Sequence, residues 1–157
     1  VSRNILGGVM DGYLMITNLG GKSKVVELQG VLGTSAARDR GKGVHQSIKT
    51  APGIEIVASQ AANFDRTKGL NVMENILQAQ SDIDAVFAHN DEMALGAIKA
   101  IQAAKRNILV VGFDGTDDGV KAVNDGSMLA TCAQHAGTFG SDGVCAGHQR
   151  LTVSTCW

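Results

Sequence analysis

Apolar residues along this chain alternate between two spacings, a helical one and a short continuous one. Ile5, Leu6, Val9, Tyr13 and Ile16 share one helical face. The apolar run Val25-Val26-Glu27-Leu28 follows, then a glycine-containing loop, Gly30-Val31-Leu32-Gly33-Thr34-Ser35. Helical spacing returns at Ala37, Gly41, Val44 and Ile48. Ile54-Glu55-Ile56-Val57-Ala58 predicts a second strand, and Leu70, Met73, Ile76 and Leu77 a third helical face. Ala85-Val86-Phe87-Ala88 predicts the third strand. Leu95, Ile98 and Ile101 predict the next helix, with Asp91 near its start as a cap. Ile108-Leu109-Val110-Val111 is the fourth strand. A short helix around Val120 and Val123 ends near Gly126, which suits a left-handed C′ position. Met128-Leu129-Ala130-Thr131 is the fifth strand.

This alternation predicts an α/β, three-layer domain with a five-stranded, mostly parallel sheet and helices on both faces. The strands are short and mostly unbroken, as strands covered on both sides are. The flavodoxin-like order 2-1-3-4-5 is expected. After Gln134 neither period holds. Residues 135–157 are therefore set apart as a divergent tail, and residues 1–134 form the folded unit.

Composition removes several function classes. The chain has 157 residues, about one domain, with 44% hydrophobic residues and a formal net charge of −1. It lacks the basic excess of a nucleic-acid binder, and no apolar run approaches the roughly 18 residues of a membrane span. Val1-Ser2-Arg3-Asn4 leads into an amphipathic pattern and not a signal peptide, so the chain reads as mature, trimmed or never exported. Cys132, Cys145 and Cys156 form no CxxC pair and no Cys/His ligand spacing, so no zinc site is expected. The 20 glycines and the single proline, Pro52, suit a domain with many tight loops.

Catalytic patterns are weak. No GxGxxG or phosphate loop follows a strand, and Gly33-Thr34-Ser35-Ala36-Ala37 lacks the closing glycine of a nucleophile elbow. His89 and Glu92 form a lone H-x-x-E, and Asp91 with Glu92 at a helix start complements the macrodipole. His45 reads as a surface residue. No catalytic residue, cofactor or metal is expected.

Ligands of open α/β sheets bind beyond the carboxyl ends of the strands. There the sequence offers Arg38 and Arg40, then Asn63-Phe64-Asp65-Arg66, His89-Asn90-Asp91-Glu92, Phe113-Asp114-Gly115-Thr116 and finally Gln134. A neutral sugar needs such a set. Vicinal hydroxyls both donate and accept, so a carboxylate, a guanidinium fork and carboxamides can grip them. Apolar ring faces rest on aromatic surfaces. Taken singly, Phe64 and Phe113 also read as rim packing, Asp114 as a turn residue, Asn90 and Asp91 as caps, and Arg40 as a solvated charge.

At these residues the sequence resembles the ribose-binding proteins of bacterial ABC-type sugar uptake. The resemblance is carried by Val26-Glu27-Leu28-Gln29-Gly30, Gly33-Thr34-Ser35-Ala36-Ala37-Arg38, Phe64-Asp65-Arg66 and Lys68-Gly69-Leu70-Asn71-Val72-Met73. It continues through Asn90-Asp91-Glu92-Met93-Ala94-Leu95-Gly96-Ala97, Val111-Gly112-Phe113-Asp114-Gly115-Thr116 and Lys121-Ala122-Val123-Asn124-Asp125-Gly126. It covers residues 1–134 and implies the C-terminal lobe of a type I periplasmic binding protein, not an enzyme. The implied ligand is D-ribose or a similar monosaccharide, contacted by Arg40, Phe64, Asn90, Asp114 and Gln134 with Phe113 beside them. The implied partners are a second lobe and a membrane permease, with no nucleic acid, and the implied location is the periplasm. The family's N-terminal lobe has no counterpart here, so self-association through an uncovered surface is expected. The effector-binding lobe of a sugar-responsive transcriptional repressor shares this fold and stands as the alternative.

Overall fold

A computed structural model of the chain describes residues 3–133 and 144–147. The elements run α1 (Arg3–Asn18), β1 (Ser23–Gln29), α2 (Ser35–Ile48), β2 (Ile54–Ala61), α3 (Arg66–Ala79) and β3 (Ala85–Ala88). They continue with α4 (Asp91–Ala103), β4 (Leu109–Asp114), α5 (Asp117–Asp125), β5 (Ala130–Ala133) and β6 (Val144–Gly147). One sheet has the order β2-β1-β3-β4-β5-β6. Its first five strands pair parallel in the expected order. β6 adds an antiparallel pairing, with Cys132 opposite Cys145, inside the segment that showed no period. Four residues, Val-Cys-Ala-Gly, carry too little alternation to announce a strand.

Successive strand residues point to opposite faces, and the two cores follow from that. Val26, Val86 and Val110 join Met73 and Ile76 of α3, Met93 and Ile98 of α4, and Val123 of α5. Their neighbours Val25, Phe87 and Val111 join Met15 of α1 with Val44 and Ile48 of α2. β3 lies between the two layers, and all four of its residues are buried. Burying a large apolar side chain such as Phe87 stabilises by roughly 1.5–3 kcal/mol.

α1 turns inward only part of the face its apolar spacing predicts, with Ile16 packed against the core. Its buried residues are Gly7, Gly8, Asp11, Gly12 and Met15. Leu6 and Tyr13 are instead 42% and 48% exposed. The reason is backbone contact with α2. A Cβ on Gly8 would overlap the Arg40 carbonyl oxygen, and one on Gly43 would overlap that of Ile5. A glycine seam lets the two helices approach more closely than a ridge of leucines would.

Each helix that follows a strand starts from a side-chain cap at the same end of the sheet. Thr34, Asp65, Asn90 and Thr116 accept from the backbone N–H of Ala37, Lys68, Met93 and Gly119. The cap of α4 is thus Asn90, and Asp91 has another role. α5 ends at Gly126 with φ 86°, the left-handed position expected there.

Candidate functional site

Arg40 is the hub of the strand-end cluster. It lies in the second turn of α2 and is only 6% exposed. Its Nε donates to Asn4 Oδ1 at 3.0 Å and its Nη1 to the His89 carbonyl at 2.6 Å. Its Nη2 lies 2.8 Å from Asp114 Oδ1. The fork has further N–H groups to offer an incoming oxygen. The guanidinium carbon sits 4.1 Å from the Phe113 ring centroid and 5.9 Å from that of Phe64. This cation–π contact with Phe113 contributes about 0.5–2 kcal/mol.

Phe113 and Asp114 are the last two residues of β4, not part of the loop beyond it. The ladder to β5 extends through them, pairing Phe113 with Cys132 and Asp114 with Ala133. Phe113 is wholly buried. It forms the wall under Arg40 and offers no surface to a ligand. Asp114 has φ 109°, a region that side chains rarely adopt. Burial raises its pKa above the ordinary value, and the Arg40 charge opposes that rise. Its side chain remains 36% exposed, so it faces outward while gripping Arg40.

Asp91, first residue of α4, supports this turn from below. It accepts from the Thr116 N–H at 2.8 Å, from Thr116 Oγ1 at 2.9 Å and from Thr131 Oγ1 at 2.7 Å. Thr131 Oγ1 in turn accepts from the Gly115 N–H at 3.0 Å. By fixing Gly115 and Thr116, the network holds Asp114 at a φ that side chains rarely adopt. Burial is the main influence on the Asp91 carboxyl and raises its pKa, while these hydrogen bonds oppose it.

Phe64 is half-buried, and both it and Asn63 have positive φ, at 60° and 56°. The ring lies over Gly30, where any Cβ would overlap it. Asn90 spends its Oδ1 on the cap, 3.0 Å from Met93 N, and its Nδ2 lies 3.4 Å from the Phe64 carbonyl. The second contact is long, so this amide edge is the more available for a ligand. Arg40, Phe64, Asn90 and Asp114 are thus brought together. Gln134 lies outside the described residues. Arg38 is 67% exposed and pairs with Asp39, away from the cluster.

The lone H-x-x-E does not assemble. Glu92 pairs with Arg66 at 2.8 Å, while the His89 ring turns to Glu27 at 2.9 Å. His45 is 47% exposed, as expected of a surface residue, yet its Nε2 lies 3.1 Å from Glu27 Oε2. Burial disfavours charge on Glu27, but hydrogen bonds from His45, His89 and Ser59 outweigh it and hold its pKa well below the ordinary range. This buried Glu27 group and Asp91 are what sequence reasoning missed. The available signal was a charged residue inside an apolar strand, Val25-Val26-Glu27-Leu28, which must have a partner.

Five parallel strands ordered 2-1-3-4-5, with a polar and aromatic cluster at their ends, have the architecture of one lobe of a binding protein. The chain belongs to the periplasmic binding protein family, whose domain description matches residues 2–152. Among particular proteins, it is 56% identical over 143 residues to the ribose import binding protein RbsB of Haemophilus influenzae. It is 55% identical over 144 residues to the protein of the same name from Escherichia coli K12. Each alignment takes in 91% of this chain but 49% and 48% of the respective relative. The chain thus spans about half the length of the curated relatives it matches. The crystal structure of an ABC transporter periplasmic solute binding protein from Actinobacillus succinogenes, with bound D-allose, superposes with a TM-score of 0.82. That match has 36% identity and covers 83% of this chain and 47% of the other. The fold is that of a type I periplasmic binding protein lobe.

Proposed function

We propose that this chain is the C-terminal sugar-binding lobe of the substrate-binding component of a ribose ABC transport system. It binds and does not catalyse. The observation that carries the reading is the Arg40–Asp114 pair, 2.8 Å apart on a fully buried phenylalanine. Asp114 accepts from ring hydroxyls, Arg40 donates to them, Asn90 and Gln134 complete the polar contacts, and Phe64 rests against the apolar face. The ribose-import names of the relatives favour a transport component over a repressor lobe. By the same analogy the protein works in the periplasm, hands its sugar to a membrane permease and does not bind nucleic acid.

The cluster forms one side of a sugar clamp. Polar contacts strengthen when a second lobe closes over the ligand and excludes water. D-Ribose is therefore expected to bind this chain alone with a dissociation constant of about 1 mM or weaker. An NMR titration tests this. Ribose should shift the Arg40 Nε, Phe64 ring, Asn90 side-chain amide and Asp114 resonances together. Shifts confined to other parts of the chain would remove the assigned site. Submicromolar affinity by calorimetry would overturn the half-site reading.

A further inference from the structure

His89 closes β3 on the side of α4 and is 2% exposed. Both ring nitrogens are bonded. The Gly30 N–H donates to Nδ1 at 3.2 Å. A backbone amide nitrogen does not accept, so Nδ1 carries no proton. The ring proton is therefore on Nε2, which donates to Glu27 Oε1 at 2.9 Å. That carboxylate is itself steadied by Ser59 Oγ at 2.6 Å and lies 3.1 Å from His45 Nε2. Space for the ring depends on α2. A Cβ on Gly41 would sit 3.0 Å from Glu27 Oε1 and 3.2 Å from His89 Cε1 and Nε2. Phe87 packs against the ring at 5.4 Å between centroids.

Two site groups hang from this residue. Gly30, held through the ring, is the floor on which Phe64 lies. Arg40, the hub of the cluster, donates its shortest hydrogen bond to the His89 carbonyl at 2.6 Å. We propose that His89 is a positioning residue for the sugar site, setting Phe64 through its ring and the Arg40 fork through its carbonyl. The proposal rests on the reading that Arg40, Phe64, Asn90 and Asp114 contact a sugar. His89 itself touches no ligand. It transmits the fixed position of Glu27, inside the sheet, to the rim where the sugar docks.

The test has an arm that needs neither ligand nor variant. Long-range 1H–15N correlation spectra of the intact labelled chain near neutral pH should show His89 with Nδ1 unprotonated and Nε2 protonated. The opposite tautomer overturns the proposal. The second arm compares His89→Leu with His89→Gln. The leucine variant should shift the Gly30 amide and Phe64 ring resonances and weaken D-ribose binding about tenfold. Glutamine can both accept from Gly30 and donate to Glu27, so it should restore those resonances and bring affinity within about threefold of the parent. Unchanged Gly30 and Phe64 resonances in the leucine variant, or equal losses in both variants, overturn the positioning role. If the parent chain shows no response to ribose, the sugar reading fails, and the tautomer and the Gly30 and Phe64 resonances still decide the role of His89.

Discussion

Asp11 brings a carboxyl into the packing of α1, where both oxygens are buried and have no hydrogen-bond partner among the described residues. Burial raises its pKa well above the ordinary value, the nearby Cys132 and Asp91 add to the rise, and Arg40 opposes it. The sign for stability follows. Below the unfolded value of 3.8 both states are protonated and the native state loses nothing. As pH rises from there towards the raised native pKa, the unfolded carboxyl ionises first and stability falls. Asp11→Ala should therefore remove a pH-dependent loss and raise stability at neutral pH by about 1–3 kcal/mol, read from urea unfolding at several pH values. A variant less stable than the parent at neutral pH would contradict this. Glu27 works in the opposite sense. Its native pKa is depressed by its hydrogen bonds, so its contribution is present above the ordinary value of 4.5 and is lost as pH falls below it. Its partner His45 has a raised pKa, chiefly through the Glu27 hydrogen bond. His45 should titrate above 6.5 by NMR in the parent and move back towards 6.5 in Glu27→Gln.

Between helices, glycine decides the geometry. Alanine is the better helix former by about 1 kcal/mol, so propensity alone makes Gly8→Ala and Gly43→Ala stabilising. The observed contact reverses that expectation, because each new Cβ would overlap a carbonyl oxygen of the facing helix. Net destabilisation of about 1–3 kcal/mol is expected from denaturant midpoints, whereas Leu6→Gln on the exposed face should stay within about 0.5 kcal/mol. The same seam explains what the sequence hid. Hydrophobic spacing located α1 but favoured Leu6 and Tyr13, because glycine carries no hydropathy signal while allowing the closest approach. α3 and α4 bury apolar residues in the ordinary way, and Met73, Ile76, Ile98 and Ile101, with Val44 and Ile48 of α2, were legible as core from their spacing. Phe113 was legible as a strand-end aromatic but not as a buried wall. Its burial depends on β5 extending the ladder beside it.

At the scale of the molecule, the parallel order of the sheet collects Arg40, Phe64, Asn90 and Asp114 at one end; strand-end position put them in a larger set with Arg38, Asp65, Arg66 and Glu92, and the family resemblance singled them out. Their supports, Asp91, Glu27 and His89, are contacts far apart in sequence, and no local pattern announces such contacts. Arg40 has a further consequence. Asn4, the His89 carbonyl and Asp114 hold its fork, and Phe113 backs it, before any ligand arrives. A side chain fixed this way cannot follow a hydroxyl to a new position. The rim should therefore judge stereochemistry strictly. Inverting one ring hydroxyl that faces Arg40 should leave a buried donor unmatched and weaken binding by about tenfold or more, visible as the ratio of D-ribose to D-arabinose and D-xylose affinities. Near-equal affinities for the three pentoses would mean that the fork yields to its ligand.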